Sequence, residues 1–117
     1  MSAESAENYK EVALAFTKAL AARDYDAAYA LTSRNYREST NLKAMQAAFE
    51  EIVPFDWGTV GSIEPVQTMD VWPGREPSDA GWVYVSIGGD VYSEAVTLVV
   101  TLEEGELRVR TVEFGRP

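Results

Sequence analysis

Strand-like patterning is strongest in the last third of the chain, residues 82–115. The runs 91–102 and 107–114 are rich in β-branched residues and flank Glu103-Glu104-Gly105-Glu106, which is the pattern of a β-hairpin. With Glu104-Gly105 at the centre of a two-residue turn, Leu102 faces Leu107, Val100 faces Val109, Leu98 faces Thr111 and Val96 faces Glu113. That register makes one face mostly apolar. The opposite face carries Thr97, Thr101, Arg108 and Arg110 but also Val99, Val112 and Phe114, a mixture that predicts partial cover by a second layer. The run 82–87 joins the hairpin through Gly88-Gly89-Asp90. A two-residue loop there puts Val83, Val85 and Ile87 on the face of Leu98, and a three-residue loop puts Trp82 and Tyr84 there; the pattern leaves both open.

Upstream the period changes to that of helices. Over residues 5–22, Tyr9, Val12, Ala13, Phe16, Ala19 and Leu20 fall on one helical face, with Ser5 in the N-cap position. Asp24 is placed to cap a second helix over residues 25–36, which buries Ala28 and Leu31 and packs antiparallel to the first. Leu42, Met45, Phe49 and Ile52 form the stripe of a third helix, capped within Ser39-Thr40-Asn41 and stopped by Pro54. Residues 59–70 read as an imperfect strand whose Gly61 and Pro65 mark an edge, a bulge or a bend, and residues 70–81 form a turn-rich loop. The expected fold class is α+β: three N-terminal helices packed on a curved four-stranded antiparallel sheet, as one domain over residues 1–117.

Composition narrows the chemistry. The chain has no cysteine and no histidine, so disulfides, thiolate nucleophiles and imidazole bases or ligands are excluded, and neither a metal nor a cofactor is expected. The net charge of −9 makes phosphate backbones and anionic lipid poor partners, so neither nucleic acid nor membrane is expected. An acidic start without an apolar leader, and no apolar run of spanning length, predict a cytoplasmic protein.

The segment Ala15-Phe16-Thr17-Lys18-Ala19-Leu20-Ala21-Ala22-Arg23-Asp24-Tyr25-Asp26-Ala27-Ala28-Tyr29-Ala30-Leu31, the closing Val112-Glu113-Phe114-Gly115-Arg116-Pro117 and the helices-then-strands order resemble the nuclear transport factor 2-like superfamily, the cone-shaped α+β fold of ketosteroid isomerase. The resemblance implies an open-ended pocket between helices and sheet and a homodimer packed through the outer sheet face. It also implies a choice among isomerases, dehydratases, hydrolases, cyclases and non-catalytic binding domains, which fold alone does not settle. The isomerase pattern needs a tyrosine where this chain has Phe16, and a carboxylate base near Ser39-Thr40, where Glu38 is the closest acid. These two departures argue against that activity.

Glu113, Glu94 and Asp70 are the candidate catalytic acids, with Asp56 as a further strand-end carboxylate. Glu113 draws interest because the register above sets it on the apolar face, where a carboxyl would be pushed toward the neutral form. The structural alternative is a solvated or Arg-paired acid at the open end of the sheet. Tyr9, Phe16, Tyr36, Trp57 and Trp82, with Trp72, are the candidate pocket-lining residues, each alternatively core or interface. Arg34 with Arg37 and Arg108 with Arg110 suit an anionic partner but more commonly serve as surface ion pairs. Two functions follow: a non-catalytic domain that binds a small apolar or amphipathic molecule or a protein, and a cofactor-independent isomerase, lyase or hydrolase using carboxylates and tyrosines.

Overall fold

The structure, a computed structural model, describes residues 8–54, 60–89 and 93–115. Four helices precede four strands: α1 Tyr9–Ala21, α2 Tyr25–Ala30, α3 Arg34–Ser39, α4 Leu42–Ile52, then β1 Ser62–Met69, β2 Asp79–Gly88, β3 Ser93–Glu103 and β4 Glu106–Phe114. The strands form one antiparallel sheet in chain order. The fold is thus α+β with an open four-stranded sheet. Ser5, Asp56, Trp57, Val91, Tyr92 and Arg116 lie outside the described residues.

The helix caps follow local chemistry. Asp24 accepts from the Ala27 N–H at 3.2 Å, Ser33 from Tyr36 at 3.2 Å and Asn41 from Ala44 at 2.8 Å, each satisfying an N–H that the first helical turn leaves open. Between α1 and α2 the chain reverses at Arg23, which has a φ of 62°. Its guanidinium donates to the Val53 carbonyl at 3.0 Å and to the Tyr25 hydroxyl at 3.2 Å, and lies 5.1 Å from the Phe49 ring centroid. Tyr25 donates onward to Glu50 at 2.9 Å. Burial, and secondarily Glu50, raise the Tyr25 phenol above its ordinary range against the opposing effect of Arg23. One side chain therefore ties the α1–α2 turn to the end of α4.

The second helix differs from the expected 25–36. It is divided in two because Thr32 bridges to Val109 at the β4 edge: the Val109 N–H donates to the Leu31 carbonyl and the Ser33 N–H to the Val109 carbonyl, both at 2.8 Å. These bonds take backbone groups that a continuous helix would need, and Ser33 then caps α3. The same contact covers part of the β4 edge.

In the sheet, Gly88 pairs with Ser93 and Val83 with Leu98, so Val83, Val85 and Ile87 share the core face with Val96, Leu98 and Val100. Of the two alternatives left open at Gly88-Gly89-Asp90, this is the face assignment of the even-length loop. In the β3–β4 turn Glu104 and Gly105 both have positive φ, 51° and 83°, as a two-residue turn requires. Leu102↔Leu107 and Val100↔Val109 pair as expected. Beyond them a bulge at Arg110 corrects the register: Val99 pairs with Thr111, Leu98 with Val112, Thr97 with Glu113 and Val96 with Phe114. The one-residue slip turns Val112 and Phe114 to the core and moves Glu113 off the face of Val96 and Leu98. A bulge between Pro65 and Gln67 bends the edge strand β1 and leaves Val66 60% exposed.

The helices cover one face of this sheet, with α1 touching all four strands. Phe16 and Leu20 from α1, Ala28 from α2, and Met45 and Phe49 from α4 meet the core-face valines and Leu98, all fully buried. The buried Thr17 on α1 satisfies its hydroxyl by donating to the Ala13 carbonyl one turn earlier, at 2.9 Å. No described helix is long and apolar enough to cross a membrane.

Candidate functional site

The outer face of the sheet, away from the helices, carries Trp82 and Tyr84 from β2, Thr97, Val99 and Thr101 from β3, and Arg110, Thr111 and Glu113 from β4. Part of this face is roofed by the chain itself. The turn-rich loop after β1 brings Trp72 down to 8% exposure, and Val99 and Thr101 beneath are 5% exposed. With Val112 and Phe114 turned to the core, Val99 is the apolar residue of the expected mixed face that this loop covers.

What fastens the roof is a buried ion pair. Asp79 starts β2, and its side chain is completely buried. Arg110 grips it bidentately, Nε donating to Oδ1 at 2.8 Å and Nη2 to Oδ2 at 2.6 Å. The Glu76 N–H also donates to Oδ2 at 2.8 Å, Arg75 donates to the Asp79 carbonyl at 3.0 Å, and Glu76 approaches Arg110 at 3.5 Å. The Thr101 hydroxyl and the Leu102 N–H both donate to the Ser78 carbonyl, at 3.0 and 2.8 Å. Burial alone would raise the Asp79 carboxyl; Arg110 and the Glu76 N–H outweigh it, so its pKa lies below the ordinary carboxylate value, and Asp79 in turn raises the Arg110 guanidinium. The bulge at Arg110 supplies the extra residue whose side chain makes this grip.

Between roof and sheet lies a cavity of ≈ 210 Å³, walled by Trp72, Pro73 and Gly74 from the loop and by Trp82, Thr97, Val99, Arg110, Thr111 and Glu113 from the sheet. Arg75 lies 5.5 Å from the Trp72 ring centroid, and Trp82 is stacked on Tyr84 at 6.4 Å and 13°. A larger hollow of ≈ 440 Å³ opens between the start of α1 and the β3–β4 turn, and another of ≈ 350 Å³ between the end of α1 and the start of β1; both are more open to solvent.

The expected site residues fall in different places. Phe16 is fully buried in the core and Tyr36 nearly so, its ring edge-on to Tyr29 at 6.5 Å; burial raises the Tyr36 phenol. Tyr9 is half-buried and its ring packs against Gly81, where a Cβ would stand 2.4 Å from it. Asp70 is exposed just past β1, Glu94 is half-buried opposite Ile87, and Glu113 is exposed opposite Thr97. Of the candidates, Trp72, Trp82, Arg110 and Glu113 meet in one cavity. Among the described residues Asp79 is the one buried charged side chain, and no group of three or more acids is arranged to hold a metal. The Asp79–Arg110 pair escapes sequence reasoning because nothing local marks residues 31 positions apart as partners. Trp72 in a turn-rich loop was the one available signal for the roof. No protein-family model, curated protein or solved structure matches the chain.

Proposed function

We propose that this chain is a non-catalytic binding domain of the nuclear transport factor 2-like kind, with α2 and α3 together in the place of that family's second helix, and that its ligand surface is the roofed outer face of the sheet. The observation that carries this reading is the pairing of a packed interior with an aromatic-walled hollow outside it. Phe16, Leu20, Met45, Phe49 and the core-face valines are fully buried, while Trp72 and Trp82 wall the ≈ 210 Å³ cavity. The catalytic alternative needs a buried carboxylate free to exchange a proton. Asp79, the buried acid, has both oxygens held by donors, and Glu113, Glu94 and Asp70 stand apart from one another.

Screening small amphipathic fragments by saturation-transfer NMR against wild type and Trp82→Leu tests the reading. Binders lost on the substitution are expected. A set of binders indifferent to Trp82→Leu would place the ligand surface elsewhere. A homodimer through the rest of this face is the second reading, favoured by the half-buried Trp82–Tyr84 stack, and sedimentation of wild type against Tyr84→Lys decides it: a wild-type dimer that the substitution dissociates supports it, and a wild-type monomer removes it.

A further inference from the structure

We infer that the outer-face cavity takes a small organic cation, a methylated or quaternary ammonium group, an inference that rests on the binding-domain reading above and assigns its ligand class. Three features of the cavity converge on this. Its volume, ≈ 210 Å³, falls below the roughly 300–1,000 Å³ of drug-sized sites and suits a headgroup. Two of its walls are indole rings, whose faces attract cations. Trp72 already serves an internal cation, Arg75 at 5.5 Å, and Trp82 is stacked on Tyr84, which leaves the Trp82 face away from Tyr84 for a ligand.

Charge settles the sign. Two of the residues that wall the cavity carry charge, Arg110 and Glu113. Arg110 is neutralised by Asp79, with Glu76 beside it, so the uncompensated charge of the lining is that of Glu113. Glu113 is exposed and makes no hydrogen bond or ion pair among the described residues. A neutral apolar occupant gains nothing from that carboxylate, and an anion would meet it head on. A cation between Trp82 and Glu113 gains from both. Its methyl groups need no hydrogen-bond donors or acceptors, so the remaining lining of Val99, Thr97 and Thr111 suits it.

The test compares choline with its neutral isostere 3,3-dimethylbutan-1-ol, read by indole N–H shifts in 1H–15N spectra of wild type, Glu113→Gln and Trp82→Leu. Choline is expected to shift the Trp82 indole, with affinity about tenfold above the isostere and about two- to fivefold lower in Glu113→Gln. Trp82→Leu is expected to abolish choline binding. Glu113 is exposed, so its substitution leaves the fold intact and the charge test stands even if Trp82→Leu is unstable. Equal affinity for the isostere, or choline binding untouched by Glu113→Gln, overturns the cation assignment while leaving the outer-face site in place. Absence of any choline-induced shift overturns it too, and the fragment screen then decides the site separately.

Discussion

Replacing Asp79 by Asn removes the charge that holds the loop to the sheet while keeping the side chain's shape. In the native protein the Asp79 carboxylate is fully buried and takes two short bonds from Arg110, whose own side chain is 14% exposed. Breaking a buried pair by neutralising one partner costs about 3–5 kcal/mol, largely because the other charge is left uncompensated. Here Glu76 stands 3.5 Å from Arg110 and takes up part of that charge, and the Asn carbonyl still accepts one bond, so a loss of about 2–3 kcal/mol is expected. Urea denaturation followed by tryptophan fluorescence measures it. The pH dependence supplies a second reading. Because the folded-state pKa of Asp79 is depressed, its contribution is fully present above the ordinary carboxylate pKa of about 4 and is lost as pH falls through the lower folded value. Wild type should therefore lose more stability than Asp79→Asn on going from pH 5 to about 2. A loss under about 1 kcal/mol at neutral pH, or parallel acid profiles, would refute the claim that this pair fastens the roof.

Three further substitutions probe the frame around the site. Gly81→Ala drives a methyl to within 2.4 Å of the Tyr9 ring and should cost about 1–3 kcal/mol in denaturation, a cost that Tyr9→Ala in the same chain largely removes in a double-mutant cycle. Ser33→Ala removes the α3 cap and should lower stability by about 1 kcal/mol in denaturation. Phe49→Ala empties the junction of Tyr25, Phe114 and the Arg23 guanidinium and should cost about 3–5 kcal/mol by thermal or chemical unfolding.

Much of the frame was legible because it follows from local periodicity. The stripes through Phe16 and Leu20 and through Met45 and Phe49, the Asp24 and Asn41 caps, the positive-φ turn at Glu104-Gly105 and the irregular edge strand at Pro65 all appear in the structure. What was not legible is set by distant partners. The break in the second helix comes from Val109, 77 residues beyond Thr32, and the slip that moves Glu113 to the outer face comes from a bulge whose side chain reaches Asp79. Ser33 is of a residue type favoured at N-caps, a signal that a continuous amphipathic pattern through Ala28 and Leu31 masked. Of the site, the aromatic and acidic residues could be named from sequence. Which of them meet depended on that one-residue register shift.

Mapping where a bound ligand perturbs the backbone locates the binding surface. With 15N-labelled protein and either choline or a fragment from the screen, amide and indole shifts are expected to cluster at Trp72, Trp82, Thr97, Thr111 and Glu113. Shifts centred instead on Phe16, Met45 and Leu98 would put the ligand between helices and sheet and contradict the outer-face site.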